Sequence, residues 1–140
     1  MSNKETKLKT PHEIDLEVWK RDKWTCQYCG YRAVDFKTWW NGHFSIDHIK
    51  PRGKSWNGKH ELENLALTCG QCNTYKGSHY EAEWDLLDRK SKLEKIRLFL
   101  SWKIETQHSK WFKKHVENNL NFSEEIPFLF NVPSENMLSL

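Results

Sequence analysis

His43-Phe44-Ser45-Ile46-Asp47-His48-Ile49 is the stretch on which the fold turns. Phe44, Ile46 and His48 alternate with Ser45, Asp47 and Ile49, the period of a strand. Upstream lies Cys26-Gln27-Tyr28-Cys29; downstream lies Cys69-Gly70-Gln71-Cys72, followed at once by Asn73. Leu65-Ala66-Leu67-Thr68 supplies a return strand, and a short helix is expected from Cys72 to about Gly77. Strand, loop, strand and helix make a ββα unit framed by two cysteine pairs.

All four cysteines fall in C-x2-C pairs. Zinc takes four soft ligands in a tetrahedron, and each pair can present two thiolates from one tight knuckle. Between Cys29 and Cys69 run 39 residues, more than a minimal zinc ribbon needs and enough for a hairpin with a long loop. A redox dithiol and a disulfide pair are the competing readings. The second Cys pair, and the lack of a βαβ pattern around the first, weigh against a dithiol. A cytosolic setting weighs against disulfides. Four thiolates leave no open coordination position, so this zinc is expected to stabilise the fold and take no part in chemistry.

The chain has 140 residues, the size of one domain, with 37% apolar and 29% charged residues. So modest an apolar fraction benefits from a structural metal. Eight tryptophans add bulk; for Trp39 and Trp40, core or knuckle packing is preferred over stacking on bases. The net charge is +3. Residues 1–79 carry 13 Lys and Arg against 9 Asp and Glu, whereas residues 80–140 carry 9 against 10. The basic half is the half with the cysteines, which suits a polyanion. No window approaches 18 consecutive apolar residues, so no membrane span is expected. The start lacks an apolar run after its charges, unlike a secretory signal, and the expected location is cytoplasmic.

Residues 1–11 read as a flexible basic arm ending at Pro11. A helix is predicted over His12 to Asp22, with Ile14, Val18 and Trp19 on one face. Residues 12–79 then form the ββα domain, with a basic loop from Lys50 to Asn64 through Pro51, Gly53 and Gly58. Residues 80–140 are predicted to be a mainly helical extension packed on the same domain, from Leu86, Leu93, Ile96, Leu100 and Ile104. The tail after Asn121 reads as extended or docked. The fold class is α+β.

The ordered set Cys26-x2-Cys29, Asp47-His48-Ile49-x-Pro51, Asn64-Leu65, Cys69-x2-Cys72-Asn73 and Lys76-Gly77 resembles the HNH (ββα-metal) endonucleases of the zinc-knuckle type. The resemblance covers about residues 20–79. It implies that His48 is a general base activating water, that Asp47 and Asn73 hold a divalent cation through oxygen atoms, and that Asn64 braces the loop. Imidazole is the natural base near neutral pH. Two oxygen ligands plus water suit Mg2+ or Mn2+. Lys50, Arg52 and Lys76 are candidate contacts to DNA phosphates. His43 and His60 flank the site; either could touch phosphate or metal, but strand-edge or loop histidines are the preferred reading. Trp56 is balanced between base stacking and packing.

The expected activity is metal-dependent hydrolysis of DNA phosphodiester bonds. The alternative is a non-catalytic, zinc-stabilised nucleic-acid-binding module. A third reading gives residues 80–140 a protein-interaction role. One small site cuts one strand at a time, so double-strand cleavage would call for a homodimer or two visits. One geometric demand stands out. Neighbours on a regular strand point to opposite faces, so Asp47 and His48 need a bulge or a strand end to address one phosphate.

Overall fold

The computed structural model describes residues 8–119. The chain divides into two units, residues 1–102 and 103–140.

In the first unit, α1 spans Pro11–Arg21, one residue earlier than its pattern predicts. Thr10 is the reason. Its side chain caps the helix by accepting from Glu13 N, and Pro11 fills the first helical position, where no N–H is needed. Pro11 therefore starts the helix and does not end the arm; residues 1–7 of that arm lie outside the described residues. Val18 is fully enclosed and packs with Leu65 and Leu67, while Ile14 and Trp19 cover their edge.

The first cysteine pair sits on a tight hairpin. Cys26 N donates to Tyr31 O and Gly30 N to Cys26 O. Gly30 takes φ +81°, a left-handed conformation that a side chain would strain. A short helix, α2 (Phe36–Asn41), follows, held by a capping box between Asp35 and Thr38. Trp39 and Trp40 lie on it. They are not core residues: Trp40 is 61% exposed and Trp39 37%. They cluster with Phe36, which stacks on Trp40, and Trp39 also meets Trp19 at a tilt.

Strands β1 (Ser45–His48) and β2 (Leu65–Thr68) pair antiparallel, with Asp47 opposite Ala66 and His48 opposite Leu65. All four β2 residues are buried. Helix α3 (Gly70–Lys76) leaves β2 directly and packs on β1. The expected α+β class and its ββα core are present, with an N-terminal helix before it and helices after it.

A 3-10 segment over Ala82–Leu86 precedes α4 (Arg89–Ile104). Leu93, Ile96 and Leu100 are buried in the same core as Ile49, Ala66, Cys26 and Cys72. Leu86 is not part of this face; it is 92% exposed on the segment before the helix begins. Trp56 packs edge-on against Tyr80, with ring centres 5.0 Å apart, so it serves packing.

The second unit, within the described residues, contains a π-helical stretch over Glu105–Ser109 and helix α5 (Lys110–His115). The segment after Asn121 lies outside the described residues. Among the described residues no helix is long and apolar enough to cross a membrane.

Candidate active site and metal centre

The two knuckles meet. The sulfurs of Cys26, Cys29, Cys69 and Cys72 all lie within 4.8 Å of one another. Cys29 Sγ and Cys69 Sγ are 3.7 Å apart. Four thiolates around one zinc, each about 2.3 Å from the metal, stand about 3.8 Å apart in a tetrahedron. The sulfur spacing therefore fits such an ion. Hydrogen bonds with Cys69 and Cys72 strongly favour the thiolate of Cys26. Burial, and then the charge on Cys26, push the Cys29 thiol up to about 11. Cys72 is held protonated by its hydrogen bonds to Cys26 and Cys69 and by burial. A dication would let all four ionise together.

Cys72 and Asn73 are consecutive on α3, about 100° apart around the helix. The cysteine faces the sulfur cluster while Asn73 Nδ2 donates to Ser45 Oγ at 2.9 Å. One turn on, Lys76 Nζ lies 3.0 Å from Asp47 Oδ2. Ser45 and Asp47 share a face of β1, and Asn73 and Lys76 share a face of α3. The strand and helix thus meet through two matched pairs. Tyr28 OH completes the set by donating to Asp47 Oδ2 at 2.6 Å. Burial raises the Asp47 carboxyl above its usual range, opposed by the charge of Lys76 and the hydroxyl of Tyr28.

His48 ends β1, and no bulge separates it from Asp47. Its ring does not join Asp47; Nε2 lies 2.9 Å from His60 Nδ1. His60 Nε2 in turn lies 3.1 Å from Asp15 Oδ1 on α1. Burial, together with the positive charge around it, lowers the His48 ring to about 4. What links the two neighbours is Lys76, which also donates to His48 O at 3.0 Å.

The loop after β1 is tied to its far end by Asn64. Its Oδ1 accepts from Lys50 N, and its Nδ2 donates to Lys50 O and Lys59 O. Ile49 N donates to Asn64 O. Gly58 comes so close that an added Cβ would lie 1.8 Å from Lys50 O.

Residues 26–79 match the family model described as HNH endonuclease. This segment is an HNH domain. No curated protein matches the chain. An HNH domain suggests cutting or binding of nucleic acid, and its four cysteines are placed where they could hold a metal ion such as zinc.

Within the HNH domain, none of His48, Asp47, Asn64 and Asn73 touches another of the four by a side-chain hydrogen bond. Each is held by an intermediary: His60, Lys76, Lys50 and Ser45 respectively. Of the three cations expected at phosphate, Lys76 is buried and spent on Asp47 and His48 O, so its position corrects that expectation. Lys50 pairs with Asp85 at 3.0 Å. Arg52 is exposed and close enough to bear on the His48 ring. Asp15, Tyr28 and Ser45 were not legible as site residues. Asp15 lies outside the HNH segment, and the other two carry no spacing signal. His60 could have been marked only by its being a second histidine near the first.

Proposed function

We propose that the chain is a metal-dependent endonuclease that hydrolyses DNA phosphodiester bonds. The supporting observation is Lys76. One buried ammonium holds both the carboxylate of Asp47 and the backbone carbonyl of His48. The two residues that must serve one phosphate are therefore fixed to each other although their side chains leave opposite faces of β1.

In this reading His48 takes a proton from water. Its ring is neutral across the working range because burial disfavours its charged form. The water attacks phosphorus in line with the 3′ oxygen, which leaves, giving a 5′-phosphate and a 3′-hydroxyl. Asp47 and Asn73 would hold the catalytic cation. Their donor atoms are oxygens, which fits Mg2+ or Mn2+ and not a softer ion. Asn73 spends its amide N–H on Ser45, which keeps Oδ1 for such a cation. Bound there, the cation supplies charge stabilisation to the phosphate and the leaving oxygen. Arg52 contributes a contact to the phosphate backbone, and Asn64 keeps the loop in place beside the base.

A second reading, a zinc-stabilised module that binds nucleic acid without cutting it, is favoured by one observation. Asp47 is only 7% exposed and is already balanced by Lys76 and Tyr28, as a purely structural carboxylate would be. Supercoiled plasmid incubated with the chain and Mg2+ or Mn2+ separates the two. Relaxation by the wild type supports the nuclease; a gel shift with intact plasmid supports the module.

A further inference from the structure

The HNH segment does not contain everything that acts on His48. Asp15, on α1, reaches the ring through His60. A carboxylate oxygen only accepts, so the 3.1 Å contact at Asp15 Oδ1 places a proton on His60 Nε2. In the neutral form of His60 the lone pair is then on Nδ1. At 2.9 Å that lone pair accepts from His48 Nε2. The remaining lone pair of His48 is therefore on Nδ1.

We propose that Asp15 and His60 are positioning residues which fix the tautomer of His48 and aim its Nδ1 at the water. This rests on the nuclease reading above, in which His48 is the base. The proton balance is simple. Nδ1 gains the proton that water loses, and His48 becomes an imidazolium with an N–H at each nitrogen. The Nε2–H stays in its bond to His60, and no proton moves along the chain. Asp15 contributes negative charge across one intervening ring, that of His60, from the new positive charge. The hydroxide forms a bond to phosphorus while the bond to the 3′ oxygen breaks. That oxygen is protonated by solvent, and His48 returns its proton to solvent.

Three elements fix the arrangement. His48 ends β1, His60 lies in the loop that Asn64 ties down, and Asp15 belongs to a capped helix. The rings stand 5.1 Å apart at 47°, a tilted pair and not a stacked one, which suits an in-plane N–H bond between them. The same logic governs hydrolases in which a carboxylate orients a catalytic histidine. There an amide in place of the carboxylate keeps the shape and inverts the ring tautomer.

The test uses the zinc-loaded full chain with no added Mg2+ or Mn2+. Nitrogen–proton correlation spectra of the histidine rings are recorded above the titration of an ordinary imidazole. In the wild type, His48 and His60 should both show Nε2–H. Asp15→Asn should move both protons to Nδ1, and Asp15→Glu should restore the wild-type pattern. In plasmid cleavage with Mg2+, Asp15→Asn should lower kcat by roughly 10- to 100-fold with KM little changed. Zinc content and the thermal midpoint confirm that the variants fold. A wild-type His48 protonated on Nδ1, or a doubly protonated His60, overturns the proposal. Full kcat in Asp15→Asn overturns it too, while leaving the nuclease reading intact. A wild type that leaves plasmid uncut overturns the nuclease reading itself and, with it, any role of the dyad in catalysis.

Discussion

Lys76 Nζ and Asp47 Oδ2 form an ion pair that is closed to solvent, their side chains 1% and 8% exposed. Desolvating two charges is offset only while both are present. Lys76→Met keeps the length and removes the charge, leaving the Tyr28 hydroxyl as a side-chain donor to Asp47. The variant should lose about 3 kcal/mol of stability in urea unfolding of the zinc-loaded chain. A loss under about 1 kcal/mol would mean the pair is not what holds α3 to β1.

Asn64 makes three side-chain hydrogen bonds, to Lys50 N, Lys50 O and Lys59 O. Asn64→Ala leaves these groups without their partner, at a cost of about 2 kcal/mol. The effect should be local. Amide exchange should rise over residues 50–60 while the cysteine knuckles keep their protection. An equal rise across the whole first unit would argue that the loop does not open separately.

Metal removal should act on the fold before it acts on chemistry. The chain should carry a single zinc ion on its four-cysteine cluster. A strong chelator should unfold the knuckles together with α3, whose Cys72 is part of the cluster. Far-UV circular dichroism should fall with zinc loss and recover on adding zinc but not magnesium. Retention of full helicity after complete zinc loss would contradict a structural role.

The pH profile follows from the sign of the His48 shift. Its folded pKa is lowered, to about 4, by burial and by nearby positive charge. The ring stays neutral well below the range of an ordinary imidazole, near pH 6.5. Initial cleavage rates should therefore change little from about pH 8 to pH 6. A tenfold loss over that interval would show a base that titrates normally.

The cysteines were legible because each pair of ligands sits within one knuckle, where spacing alone reports geometry. The ββα order was legible for a similar reason: β1, β2 and α3 follow one another around a single loop. The alternation along β1 also foretold that Asp47 and His48 would part. It could not show that Lys76 bridges them, since a lysine at a helix end reads as a surface charge.

The link from Asp15 through His60 to His48 was hidden for a different reason. Asp15 and His60 lie 45 residues apart, and nothing local marks them as a pair. Trp39 and Trp40 misled because large aromatics are usually enclosed, yet here they form an exposed row. Leu86 fits the spacing of α4 on paper, but the helix begins only at Arg89.

The central claim is that His48 activates water against a phosphodiester. Its most direct test is cleavage of supercoiled plasmid by the zinc-loaded chain with Mg2+ or Mn2+, wild type beside His48→Ala, with the ends of the cut strand mapped. Nicked or linear products bearing 5′-phosphate are expected from the wild type, with a loss of at least about 100-fold in the variant and retained DNA binding in both. Equal cleavage by both chains, or none by either, would contradict it.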